Sequence, residues 1–251
     1  MQFLNLLKKY LVDSQIFVSL AGTLLAVFFM LHEGTFRGPT VFLIFITYFS
    51  GYLYTKYQHH RHFYKTLIFN VISGIVCALL IFQNHNEIRL VKWLVIVGLG
   101  LLYNSSFLEN FIRKIPLLKV FYVGLVWALV NSWMVTPEPA PGIFAVSFLF
   151  VTALVLPFDI RDMKEDQIVT FPRLIGIQKT KYLAYLLIFS AGLIAVLFLK
   201  TDFATAFYIT MIFSYFLVYF SKPSNRDAYF SFWVESLSAM PFLFYVLLKY
   251  F

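Results

Sequence analysis

Apolar residues in this chain come in long unbroken runs, and most polar ones are gathered into the short gaps between them. Nine runs reach the roughly 17 to 25 residues that a helix needs to cross a hydrocarbon core. They lie at about 14–31, 40–57, 66–82, 90–107, 117–135, 142–158, 183–199, 203–220 and 229–248. The gaps hold turn formers and charges that are costly at mid-membrane, as in "HEGTFRGP", "QNHNE", "TPEPAPG" and "SKPSNRD". A strand barrel would need segments of about ten residues alternating in polarity, and the sequence has none. The pattern predicts an all-α, polytopic membrane protein, a bundle of nine transmembrane helices. No repeat, low-complexity tract or flexible linker divides it, so residues 1–251 are read as a single transmembrane domain.

Composition agrees: 61% of residues are hydrophobic, 13% are charged and 31 are Phe, far from the usage of a soluble domain. The net charge of +8 does not imply nucleic acid, because the bases are spread thinly between apolar runs and form no binding module. Counted over alternate gaps, fifteen Lys and Arg fall on one side and five on the other. This positive-inside bias predicts a cytoplasmic N-terminus and an outer C-terminus in a membrane of the bacterial inner type. The start, "MQFLNLLKKYLVD", has the two lysines of a signal peptide but no small-residue cleavage pattern after them, so the first run is read as a retained helix. The lone Cys77 excludes an intramolecular disulfide and a thiolate metal site, leaving a packing role. The gaps after the second, fourth and sixth runs are long and lie on the cytoplasmic side, which is where chemistry is expected.

The gap after the sixth run contains the most pointed chemistry, in "VLPFDIRDMKEDQIVTFPRLIG" over 155–176. At about 100° per residue, Asp162 lies roughly 60° and Asp166 roughly 20° from Asp159, so three carboxylates share one helical stripe while Arg161 and Glu165 point elsewhere. Carboxylates this close repel one another unless a cation sits among them, and hard oxygen ligands at a cavity edge suit Mg²⁺, completed by substrate phosphates. The same acids also suit a solvated helix end, paired with Arg161, Lys164 and nearby bases.

The pattern D-x-x-D-x-x-x-D followed by T-x-P-x-x-x-G, here Asp159, Asp162, Asp166, Thr170, Pro172 and Gly176, resembles the second aspartate-rich motif of the UbiA-type intramembrane prenyltransferases. That family has nine transmembrane helices in one bundle and a cytoplasmic N-terminus. The resemblance implies an enzyme that binds an isoprenyl diphosphate through Mg²⁺ at Asp159, Asp162 and Asp166. It transfers the prenyl group to a membrane-soluble, often aromatic, acceptor and releases pyrophosphate.

The chain departs from the family at the first motif, N-D-x-x-D-x-x-x-D, at the end of the second helix. In "FSGYLYTKYQHHRH", Ser50, Gly51, Tyr54 and Gln58 stand at those places, and no carboxylate remains. Losing that half removes metal ligands and negative charge. Bases are the available replacement: Lys56, Arg61 and Lys65, with His59, His60 and His62, follow the second run and would neutralise phosphate directly. The histidines also admit a loose metal site, and the whole segment admits an interfacial loop with tyrosines in the aromatic belt. After the fourth run the family has a tyrosine and then bases that bind diphosphate; Tyr103, Arg113, Lys114 and Lys119 occupy those places, where ordinary positive-inside residues would look the same. Tyr54 and Tyr103 are also the aromatic faces expected to stabilise an allylic cation. Glu235 is the clearest intramembrane acid and is expected to face a cavity or a partner. Asn70 and Asn131 are expected to bond between helices. The resulting expectation is a prenyl transferase with Mg²⁺. Its rivals are a catalytically impaired homologue that binds isoprenoid diphosphates or serves as a partner subunit, and a small transporter.

Overall fold

The computed structural model describes residues 15–58, 60–61, 63–103, 117–164 and 169–250. They form α1 (Ile16–Glu33), α2 (Gly38–Tyr57), α3 (Phe63–Gln83), α4 (Glu87–Tyr103), α5 (Leu118–Leu129), α6 (Pro141–Asp162), a short α7 (Phe171–Ile175), α8 (Ile177–Phe198), α9 (Thr201–Phe220) and α10 (Met240–Tyr250), with no strand among the described residues. Two π-helical turns, Val130–Met134 and Tyr229–Val234, extend α5 and precede α10. Helices α1, α3, α6, α8 and α9 are each long and apolar enough to cross a membrane. The described residues are therefore all-helical with several apolar helices, consistent with a membrane helical protein, and each of the nine apolar runs contains a helix.

The helices pack in sequence order, α1 on α2, α2 on α3 and so on around to α10, which returns to α1; α7 is a bridge between α6 and α8. Burial falls unevenly around this closed ring. Two-thirds of α1 and of α6 is buried against other helices, whereas the outer faces of α3, α4, α8 and α9 expose Leu, Ile, Phe and Val. Such faces are lipid-facing surface in a bilayer. Interlocked rings hold the interior, with Phe28 of α1 edge-on to Phe203 of α9, which stacks on Tyr245 of α10 at 4.1 Å. Gly124 lets α5 and α6 touch closely: a Cβ there would lie 2.1 Å from Thr152 Oγ1.

Local sequence explains the corners. Gly34 ends α1 in the left-handed region at φ +69°, its N–H returning to the Leu31 carbonyl, and Pro39 and Pro141 sit in the first turns of α2 and α6. In the T-x-P-x-x-x-G stretch, Thr170 precedes α7, Pro172 sits in its first turn and Gly176, at φ +83°, turns the chain into α8. That stretch is a connector that sends the chain back across the bundle.

Two runs depart from the simple helices expected. In the fifth, Ser132 donates to the Ala128 carbonyl at 2.7 Å and Thr136 to the Ser132 carbonyl, and the helix there widens to π. In the ninth, the N–H groups of Leu237, Ser238 and Ala239 bond three residues back, and regular helix resumes only at Met240. Pro241 has no N–H for the Leu237 carbonyl and would crowd it in a continuous helix. Asn70 and Asn131 bond between helices as expected, Asn70 accepting from Ser50 at 2.8 Å and Asn131 donating to Ser147 at 2.7 Å.

Candidate functional site

A cavity of about 660 Å³ lies between α2, α3, α4, α5 and the end of α6, within the size range of pockets that enclose small organic ligands. Its body is apolar, with Leu67 and Val71 of α3, Ile96 and Leu101 of α4, and Val126 and Trp127 of α5. Its mouth is polar: Tyr54 of α2, Tyr103 of α4, Lys119 of α5, and Arg161 and Asp162 of α6. These five residues lie 42 or more positions from one another except within the pairs 103/119 and 161/162, so the bundle itself assembles the mouth.

Helix α6 continues four residues past the predicted end of the sixth run, carrying Asp159 and Asp162 on regular helix. Asp159 is 1% exposed and pairs with Lys119, Nζ to Oδ1 3.6 Å. Asp162 lines the cavity and accepts two bonds from Arg161, Nε to Oδ1 at 2.5 Å and Nη2 to Oδ2 at 2.9 Å. Arg161 was expected to point away from the acidic stripe. Its long side chain instead folds back to Asp162, with the guanidinium carbon 5.3 Å from the Phe158 ring centroid and 5.7 Å from that of Phe230. Glu235 and Asp227 lie within electrostatic range of Arg161, and Lys56 within range of Glu235. Glu235 thus has the cationic partners expected of an acid in an apolar run.

Of the remaining candidates, Tyr54 packs against Phe63 with centroids 5.4 Å apart, and Tyr103 stacks on Tyr122, also at 5.4 Å. Arg61 and Lys65 are exposed and do not line the cavity. Arg113, Lys114 and Asp166, like His59 and His62, lie outside the described residues. Ser50, Gly51 and Tyr54, three of the positions compared above with the first motif, line the same cavity as Asp162. Residues that sequence reasoning did not single out also line the site, notably Tyr48, Trp93 and Trp127, as does Tyr52, which was read as an aromatic-belt residue; their one signal was an aromatic in an apolar run, which lipid-facing positions share.

The described donors do not fit Mg²⁺. Both oxygens of Asp162 accept from Arg161, Asp159 faces Lys119, and the α2 residues that share the cavity, Ser50, Gly51 and Tyr54, add no carboxylate. Among the described residues, no group of three His, Cys, Asp or Glu side chains could hold a metal. At the mouth itself Lys119 pairs with Asp159 and Arg161 with Asp162, so these four residues supply no excess negative charge to draw a cation. What the arrangement can do is enclose an apolar body and present exchangeable acid–base pairs to an anionic head. No family model, curated protein or solved structure matches this chain.

Proposed function

We propose that this chain is a UbiA-type membrane protein of nine helical spans, with its N-terminus in the cytoplasm and its C-terminus outside. Its cavity takes an isoprenyl diphosphate and passes the prenyl group to a membrane-soluble acceptor. One observation carries the proposal: a single apolar cavity whose mouth joins the end of α2 to the end of α6, with Lys119, Arg161 and Asp162 at the rim. The isoprenyl tail lies among the apolar walls, and the diphosphate displaces the carboxylates from Lys119 and Arg161, whose charges hold it by charge-assisted hydrogen bonds. In transfer, the allylic C–O bond breaks and the diphosphate leaves with the electron pair. The allylic cation is met by the rings of Tyr54 and Tyr103, and the acceptor supplies the electrons of the new bond and loses a proton to water. The expected Mg²⁺ has no step here, because the described acids are engaged by bases.

A second reading, binding without turnover, is favoured by the absence of acids at Gly51, Tyr54 and Gln58. The test uses purified protein in lipid nanodiscs with a series of prenyl diphosphates, with and without EDTA, followed by pyrophosphate release in the presence of quinol and phenolic acceptors. Saturable binding with release supports transfer; saturable binding without release supports the second reading. No binding at any chain length refutes both, and binding lost in EDTA restores the metal.

A further inference from the structure

Resting on the function proposed above, we infer that Trp93 is the floor of the cavity and limits the enclosed isoprenyl tail to about three isoprene units, so that a farnesyl-length ester fits best. Three helices give the same depth. From Tyr103 at the mouth to Trp93, α4 advances about 15 Å; from Leu67 to Cys77, α3 advances about 15 Å; and from Lys119 to Val130, α5 advances about 16 Å, at about 1.5 Å per residue. All six residues line the cavity. An extended isoprene unit has four chain bonds, each about 1.5 Å long and advancing about 1.25 Å, so it spans about 5 Å.

The floor is closed and fixed. Trp93 is 7% exposed and Cys77 1%, whereas Leu67 and Leu101 nearer the mouth are each 43% exposed and Val71 62%. The upper cavity therefore opens sideways between α3 and α4, while its lower end is sealed. The Trp93 indole N–H donates to Thr47 Oγ1 at 2.9 Å, and the Thr47 hydroxyl donates in turn to the Leu43 carbonyl at 2.7 Å, which pins the ring to α2. A tail longer than the depth must leave through the side gap and gains no further enclosed contact.

The neighbouring Gly74 supplies the reciprocal control. A Cβ there would meet only Trp93 Cη2, at an ordinary 3.9 Å, so a larger side chain would grow into ligand space without displacing protein. Equilibrium binding to the protein in nanodiscs is measured for dimethylallyl, geranyl, farnesyl, geranylgeranyl and a longer prenyl diphosphate. Comparing variants with the wild type at each length cancels partition into lipid. Affinity is expected to rise by about tenfold per unit up to farnesyl and then level. Trp93→Ala moves the plateau one unit longer, to geranylgeranyl, and Gly74→Leu moves it one unit shorter, to geranyl. Should Trp93→Ala fail to fold, Gly74→Leu alone decides. Variant-to-wild-type affinity ratios that do not change with chain length overturn this inference and leave the proposed function standing. Absence of binding at every length overturns both.

Discussion

Under the proposed function, replacing Asp159 by Asn would separate a mouth that holds phosphate with bases from one that holds it through a metal. Lys119 Nζ stands 3.6 Å from Asp159 Oδ1, with side chains 30% and 2% exposed. Two unit charges at that distance attract by about 5 kcal/mol at an effective dielectric constant of 20. Hydration of the Lys119 ammonium offsets part of this, and couplings of contacting residues are typically about 0.5–3 kcal/mol. Asn keeps the shape of Asp and can still accept a hydrogen bond, but it no longer competes with an incoming phosphate for the ammonium. If about 1.4 kcal/mol of that coupling becomes available to the ligand, affinity for farnesyl diphosphate rises about tenfold. The assay is equilibrium binding in nanodiscs, in EDTA and again with MgCl₂. The gain should appear in both buffers, vanish in Asp159→Asn/Lys119→Gln, and accompany a fall in melting temperature of a few degrees at most. Weaker binding by Asp159→Asn, confined to the buffer with Mg²⁺, would refute the base-for-metal argument, because the acid would then be recruiting the ion.

Other substitutions probe the scaffold and the limits of the site. Gly124→Ala drives a Cβ to 2.1 Å from Thr152 Oγ1 and 3.0 Å from the Phe148 carbonyl, and should cost about 1–3 kcal/mol, read as a lower melting temperature that Thr152→Ala partly restores. Lys92→Met removes the donor to the Thr136 and Pro137 carbonyls, at 3.1 and 3.0 Å; it should destabilise by about 1–3 kcal/mol in a melt while leaving ligand affinity unchanged. Arg161→Gln should weaken farnesyl diphosphate binding by about tenfold or more through loss of a charge-assisted contact. In the same titration Arg61→Gln and Lys65→Gln, at exposed positions outside the cavity, should change it by less than about twofold.

The helical architecture was legible because its signal is additive: a run such as 142–158 needs only enough apolar residues in a row, and α6 followed. Where a single residue decides, the pattern failed. Nothing in the hydropathy of 229–248 marks the break before Met240, which depends on one missing N–H at Pro241. The site was half legible. Four acids within eight residues drew attention to the end of α6, and the bases read as sparse and remote from it have partners of their own: Arg89 bonds Thr40, Lys92 bonds carbonyls beyond the α5 π turn, and Lys200 bonds the His32 carbonyl. The partners of the acids were not legible. Helical geometry assigns a direction to the Cβ of Arg161, yet its guanidinium reaches round to Asp162 on a flexible stem, and Lys119 meets Asp159 only because α5 and α6 approach so closely at Gly124. The aromatic lining was illegible for a different reason. A Trp that floors a cavity and a Trp that faces lipid have the same neighbours in sequence, and only the hydrogen bond to Thr47 tells Trp93 apart.

Under the proposed function, the lack of acids at the end of α2 and the pairing of the acids of α6 are two sides of a single charge balance. With acids at the positions of Gly51, Tyr54 and Gln58, Lys119 and Arg161 would face a surplus of carboxylates in a low-dielectric mouth, and only bound cations would make that surplus tolerable. With Ser50 bonded to Asn70, and Tyr54 presenting a ring, that surplus is gone, and each described acid of α6 has its own base. Restoring a single acid, as in Tyr54→Asp, would therefore add a charge without a partner, not rebuild a metal site. In the proposed function the bases of α5 and α6 take the place of acids and metal, and a phosphate entering the mouth would exchange one set of anionic partners for another at nearly constant charge.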